Sequence, residues 1–373
     1  MSQTKVEAPF VENNNEKFKN LVINGDMRIF QRATSATTST STYDTVDRFL
    51  LYESSDGAMT SEKEGISVAD QATTGQRTAL VMNVTTADGT IAANQFAAIY
   101  HRIEAQNLQH LLYGTSAAKN LTLSFYVKSN KTGTYCISFN KNDSTEYYIP
   151  IEYTISSANT WEKKVIVLSP TAGSTSLITA SGGVIGDDNG IGLQITFGLA
   201  WGSNYHGTNN TWTTSSHLAT SNQVNWLDST SNNFYLTGVQ LEVGDQATDF
   251  EHLPHDVQLA RCKRYFENYE LESGSALFGL SFNADDATCR LEYKITKRIA
   301  PTIGGLTAAQ SGTGMSFLTN AGSYSSSAGS LASHSISIDG CRINGSSQGN
   351  LNNPGASMLY ATGDNTITID AEL

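Results

Sequence analysis

Residues 200–226 read AWGSNYHGTNNTWTTSSHLATSNQVNW, which sets Trp201, Tyr205, His206, Trp212, His217 and Trp226 among small polar residues. Sugars present flat C–H faces to aromatic rings and hydroxyls to Asn, Thr and His side chains. Trp201, Tyr205, His206, Trp212 and Trp226 are therefore candidate glycan-binding residues, with Tyr205 and Trp212 as the direct contacts. A polar loop with so many large aromatics must either bury them or offer them to a ligand. The competing reading has Trp201 and Trp226 filling a core while Trp212 anchors the loop.

Other chemistry has less support. Glycoside hydrolysis needs two carboxylates facing each other across a cleft. Glu104, Glu146, Glu152, Glu162, Glu242 and Glu292 lie in strand-like segments, and no local signature selects a pair. Neither a GxSxG elbow nor an HExxH motif occurs. His252 and His255 have a spacing compatible with a metal but sit in a linker before a helix, where capping or packing is the commoner role. Gly186-Asp187-Asp188-Asn189-Gly190 groups oxygen donors, yet lacks the acidic spacing and terminal glutamate of an EF-hand and reads as a turn. Cys136, Cys262, Cys289 and Cys341 are far apart, so buried free thiols are expected.

The elements that would hold these residues are mostly strands. LTLSFYVKSN, TYCISFNKN, YYIPIEYTI, WEKKVIVLS, GIGLQITFGLAWG and NNFYLTGVQLEVG are rich in β-branched and aromatic residues and are separated by Gly/Asn/Ser turns. VDRFLLYES, TALVMNVTT and FAAIYHRI precede them, and NLVINGDMRIFQR reads as an opening strand from Leu21 with a turn at Asn24-Gly25-Asp26. The predicted fold is all-β: a jelly-roll or β-sandwich domain, a short connector helix, then a smaller antiparallel β-domain. Its bounds are a polar arm over residues 1–20, the sandwich over 21–250, a linker and helix over 251–267, and the distal domain over 268–373. In the helix Leu259, Cys262, Lys263 and Phe266 recur at helical spacing, with Pro254 and Asp256 suited to its first turn. ALFGLSFN, CRLEYKITK, HSISIDGCRI, MLYATG and TITIDAEL read as distal strands, and residues 304–335 as loops between short strands.

Only 16% of the 373 residues are charged, and the formal net charge is -12. No basic run occurs, so nucleic-acid and anionic-membrane partners are not expected. No apolar run approaches the roughly 20 residues needed to span a bilayer, and the first 20 residues lack the apolar core of a signal peptide.

Four pieces resemble tailed-bacteriophage fibre proteins, in the same order. They are NLVINGDMRIFQR with VDRF, then NQVNWLDSTSNNFYLTGVQLEVG, then FEHLPHDVQLARCKRYF, and finally KITKRIAPTI with a closing DAEL. The resemblance implies a non-enzymatic virion fibre or receptor-binding protein with a carbohydrate-binding-module-like sandwich that adheres to host-surface polysaccharide. It implies a homotrimer, with Val257, Leu259, Ala260 and Phe266 as the candidate interface. A helix of about 3.5 turns is too short to hold three chains alone, and its stripe equally suits covering the distal domain within one chain. The arm over residues 1–20 would attach to other virion proteins after synthesis in the host cytoplasm. No cofactor is expected, and a structural calcium enters only through the resemblance. A capsid-decorating fibre without a ligand and a polysaccharide depolymerase are the alternatives.

Overall fold

The computed structural model describes residues 19–38, 42–308, 314–319, 330–347, 351 and 354–373. Apart from Lys19 and Asn20, the arm read over residues 1–20 lies outside these, as do parts of the stretch 304–335.

Strong alternation in the first two thirds of the chain yields eleven strands. They are β1 (Ser35–Thr38), β2 (Phe49–Ser54), β3 (Ala58–Gly65), β4 (Thr78–Thr86), β5 (Phe96–Glu104), β6 (Leu121–Ser129), β7 (Gly133–Lys141), β8 (Tyr147–Ile155), β9 (Glu162–Leu168), β10 (Ile191–Trp201) and β11 (Asn233–Val243). One sheet runs β1-β3-β4-β11-β6-β9 and the other β2-β5-β10-β7-β8. Every pairing is antiparallel. In β10 Leu193, Ile195 and Phe197 face the core, where Phe125, Phe139, Trp226 and Phe234 meet them. Each such side chain contributes about 1.5–3 kcal/mol on burial, so this layer dominates stability. A helix absent from the expectation, α1 (Val68–Thr74), follows β3, capped by Ser67 accepting from the Asp70 amide and closed by Gly75 at φ 68.

The opening piece is not a strand. Residues 21–30 form a compact plug organised by Asn24, whose side chain accepts from the Arg28 and Ile29 amides and donates to the Ile29 and Asp47 carbonyls. A single amide thus replaces a ladder, and Val22, Met27 and Ile29 are buried by it. The turn needs Gly25, because a Cβ there would lie 2.0 Å from the Val239 carbonyl oxygen. The Val239 amide in turn donates to Gly25 O at 2.8 Å.

After β11 comes α2 (His255–Lys263), and then β12 (Phe266–Leu271), β13 (Ala276–Ser281), β14 (Ala287–Glu292), β15 (Thr302–Gly304), β16 (Met315–Thr319), β17 (Ser330–His334), β18 (Gly340–Ser346), β19 (Gly355–Ala361) and β20 (Asn365–Asp370). A three-stranded sheet β12-β20-β15 and a six-stranded sheet β16-β19-β13-β14-β18-β17 enclose a second core of Leu271, Leu291, Phe317, Ile343, Leu359 and Ile367. HSISIDGCRI spans the end of β17, a turn and the start of β18, where one strand was expected. The helix stops at Lys263, so it is nearer 2.5 turns than 3.5. Phe266 starts β12 because FENYEL pairs along β20, Phe266 opposite Asp370.

The two sandwiches meet at a charged junction that collects pieces distant in sequence. Arg48, wholly buried, pairs with Glu372, and Arg32 pairs with Asp370 and Glu372 at 3.3 Å. The Arg48 guanidinium lies 3.5 Å from the Tyr265 ring centre, and that of Arg32 3.5 Å from Phe266. Gln31 donates to Asp47 and to Phe266 O, and Arg298 donates to Ala371 O and Glu372 O. Ile23, Ile29, Leu259, Cys262 and Tyr265 pack beneath these pairs.

Candidate functional site

The aromatic loop divides on folding. Trp226 is fully enclosed between the sheets, its Nε1 donating to Asn233 O at 3.1 Å. Trp212 is 2% exposed and donates to Ser169 O at 2.8 Å. Neither ring offers a face, so both leave the glycan-binding set. Trp201 closes β10 and lies over Gly198, stacked on Phe96 at 5.2 Å and 20°. Tyr205 sits 4.8 Å from Trp201, and Tyr52 joins through Phe96 at 4.7 Å. His206 Nε2 lies 3.1 Å from Trp201 O. Trp201, Tyr205 and His206 are thus brought together, but Trp201 is 6% exposed, and Tyr52, Tyr205 and His206 are half-buried. The sheet beneath is covered too: Ser138, Asn140, Gln194 and Thr196 on its outer face are all buried.

A more open aromatic surface lies on the outer face of the six-stranded sheet. Register places Tyr235 between Val81 and Lys128, and Tyr126 between Thr237 and Lys163. Trp161 stands just before β9, 6.0 Å from Tyr235 and edge-on to it. Lys128 Nζ caps both rings, 4.1 Å from Tyr235 and 5.0 Å from Trp161. A hollow of about 190 Å³ lies against Trp161, Tyr235 and Lys128, with Glu64 and Asp70 on its wall. A second, of about 320 Å³, lies against Tyr126, Gln76, Lys163 and Phe250. Tyr126 packs on the Ile66–Ala79–Trp161 cluster and also lines the second hollow, so the two adjoin. Gln76 Nε2 and Trp161 Nε1 are buried donors without a protein acceptor among the described residues. Burial and the neighbouring Glu64 and Glu62 push the Tyr235 hydroxyl above its ordinary pKa, so it remains a donor. Rings, hydroxyl partners and charged edges in one groove can hold a sugar chain by stacking and hydrogen bonds. Sequence reasoning passed over Trp161, Tyr235 and Tyr126, because an isolated aromatic in an alternating strand does not say which face it takes.

The carboxylates weighed for catalysis are committed locally. Glu104 accepts both guanidinium bonds of Arg264 at 2.9 Å, and these with Tyr265 hold its carboxyl below the usual range against the opposing effect of burial. Glu242 holds Thr248, Glu162 pairs with Lys164, and Glu152 accepts from Thr220 and Asn222. Glu146 accepts from Tyr148, and Glu292 lies exposed beside Arg290. His252 packs edge-on to Phe250 at 5.0 Å. Asp188 accepts from the Gly190 amide, and Asp143 from that of Gly186. Among the described residues no three His, Cys, Asp or Glu side chains converge as a metal site. The four cysteines are buried and unbridged.

The candidate interface stripe is largely spent within the chain. Phe266 is buried under Arg32, and Leu259 packs with Ile23, Cys262 and Tyr265. Val257 and Ala260 are half-buried.

No family model matches the chain, and no curated protein matches it in sequence. Solved structures similar in fold include three at low identity. The N-terminal CBM22-1–CBM22-2 tandem domain of Paenibacillus barcinonensis Xyn10C is 13% identical, with a TM-score of 0.30 over 63% of this chain and 52% of that one. The family 11 carbohydrate-binding module of Clostridium thermocellum Lic26A-Cel5E is 11% identical, with a TM-score of 0.27 over 57% and 97%. The enzymatically active domain of bacteriophage CBA120 tailspike protein 4 is 12% identical, with a TM-score of 0.27 over 61% and 22%. At scores this low nothing about this chain's ligand follows from them.

Proposed function

We propose that the chain is a non-enzymatic adhesin of a phage fibre, binding host-surface glycan in the groove over the six-stranded sheet of the first sandwich. One observation carries the glycan reading. Half-exposed rings of Tyr126 and Tyr235 coincide there with two adjoining hollows and with the buried, unpartnered donors Gln76 Nε2 and Trp161 Nε1. A buried donor left unpaired costs about 1–3 kcal/mol, and a sugar hydroxyl would satisfy it. The fibre reading is supported by the sequence pieces. Residues of the opening piece, of VDRF, of RYF and of DAEL meet at the one junction. Several copies on one particle would turn weak sugar contacts into avidity. Residues 1–20 would attach the fibre to the particle.

Glycan-array binding of the intact protein tests this reading, with Tyr235→Ala alongside. Binding to a defined set of glycans, reduced at least about tenfold by Tyr235→Ala and unaffected by Tyr205→Ala, is the expected outcome. Release of reducing ends from those glycans would favour a depolymerase, and binding to none would favour a purely structural fibre. We propose further that the fibre is a homotrimer, and a monomeric sedimentation value for the full chain would remove that part of the proposal.

A further inference from the structure

A chamber of about 670 Å³ opens at the junction of the two sandwiches, between the 3-10 turn Ala105–Leu111, the opening plug and α2. Arg102, Arg261, Arg264 and His110 line it, and among the described residues of its wall none is Asp or Glu. Arg264 is compensated by Glu104 behind it, which leaves Arg102 and Arg261 as the cations facing the chamber.

The guanidiniums are held in place. Arg264 is fixed by its two bonds to Glu104. Arg102 is fixed by Nε on Gln194 Oε1 at 2.9 Å and by Nη1 on Leu373 O. Arg261 Nη2 donates to Asn20 O at 3.4 Å. Burial lowers the pKa of Arg261 from its ordinary value, with Glu251 acting in the opposite sense, so its cation is partly stripped of water. A carboxylate in the chamber would add charge-assisted bonds to Arg102 and Arg261. Gln106, Asn107 and His110 stand exposed at the mouth, and Leu21 and Ile103 provide an apolar wall.

We infer that this chamber binds an acidic sugar. Its carboxylate lies against Arg102 and Arg261, its hydroxyls meet Gln106, Asn107 and His110, and a C–H face rests on Leu21 and Ile103. The chamber is separate from the aromatic groove. Only the choice of a sugar as the bearer of the acid group rests on the glycan reading.

Calorimetric titration of the full chain with glucuronate, galacturonate, N-acetylneuraminate, glucose and inorganic phosphate tests it. At least one of the three acids should bind, and glucose and phosphate should bind at least about tenfold more weakly. Asn107→Glu, at an exposed position, and Arg261→Gln should each weaken the acid at least about tenfold. Tyr235→Ala should leave it unchanged, which keeps this outcome apart from that of the groove. The inference fails if none of the three acids binds, if phosphate binds as tightly as the best acid, or if Asn107→Glu has no effect.

Discussion

Single residues decide where the aromatic chemistry ends up. Trp212 and Trp226 are core, so Trp226→Ala should cost about 3–5 kcal/mol in urea unfolding, because the enclosed indole leaves a cavity that the two sheets cannot collapse. Tyr235→Ala removes a half-exposed ring and should change stability by less than about 1 kcal/mol while weakening glycan binding. The contrast was only partly legible. The loop AWGSNYHGTNNTWTTSSHLATSNQVNW showed that aromatics had to be buried or used, and the structure buries most of them. The groove residues Tyr126, Trp161 and Tyr235 come from three separate strand regions. Their shared face is set by cross-strand register, which one strand's alternation does not specify.

At the scale of elements the strands were legible because their β-branched and aromatic runs are bounded by turn residues. α1 was also readable in principle, since Ser67 and Asp70 form a capping pair and Gly75 a stop, but it was passed over. The turn at Asn24-Gly25-Asp26 was readable, but the rest of the opening plug was not, because its bonds come from one Asn24 side chain and it is held against β11 some two hundred residues later. Three of the four sequence pieces read as fibre-like share a physical role in the structure. They supply Gln31, Arg32, Asp47, Arg48, Tyr265, Phe266 and Glu372, which join the two sandwiches. Arg48→Met should therefore cost about 1–3 kcal/mol, since Glu372 loses its closer partner and keeps only Arg32, and should split thermal unfolding into two transitions. A single transition with unchanged midpoint would contradict this role. Glu292→Gln, which breaks the exposed pair with Arg290, should be near neutral.

For the whole molecule the junction implies a particular pH response. Burial raises the Asp47 carboxyl from 3.8 to about 6, against the bonds from Gln31. Its folded state therefore prefers the proton. Charged Asp47 destabilises the fold above pH 6, by about 3 kcal/mol at 1.36 kcal/mol per unit, and that cost is relieved as pH falls from about 6 towards 3.8. Glu104 shifts the other way, so its contribution is complete above 4.5 and is lost as pH falls below it. Stability should rise on acidification from about pH 6 to about 4.5 and fall below about 3.8, and Asp47→Asn should abolish the rise in urea midpoints. The central claim, that a glycan lies in the groove over the six-stranded sheet, is tested most directly through the indole N–H resonances of the four tryptophans. Trp212 and Trp226 already donate to carbonyls, whereas Trp161 Nε1 and Trp201 Nε1 have no protein acceptor among the described residues, and of these two Trp161 stands in the groove. On titration with a glycan taken from the array, the Trp161 resonance should shift while those of Trp201, Trp212 and Trp226 stay in place. A bound glycan that leaves Trp161 unmoved would contradict the account.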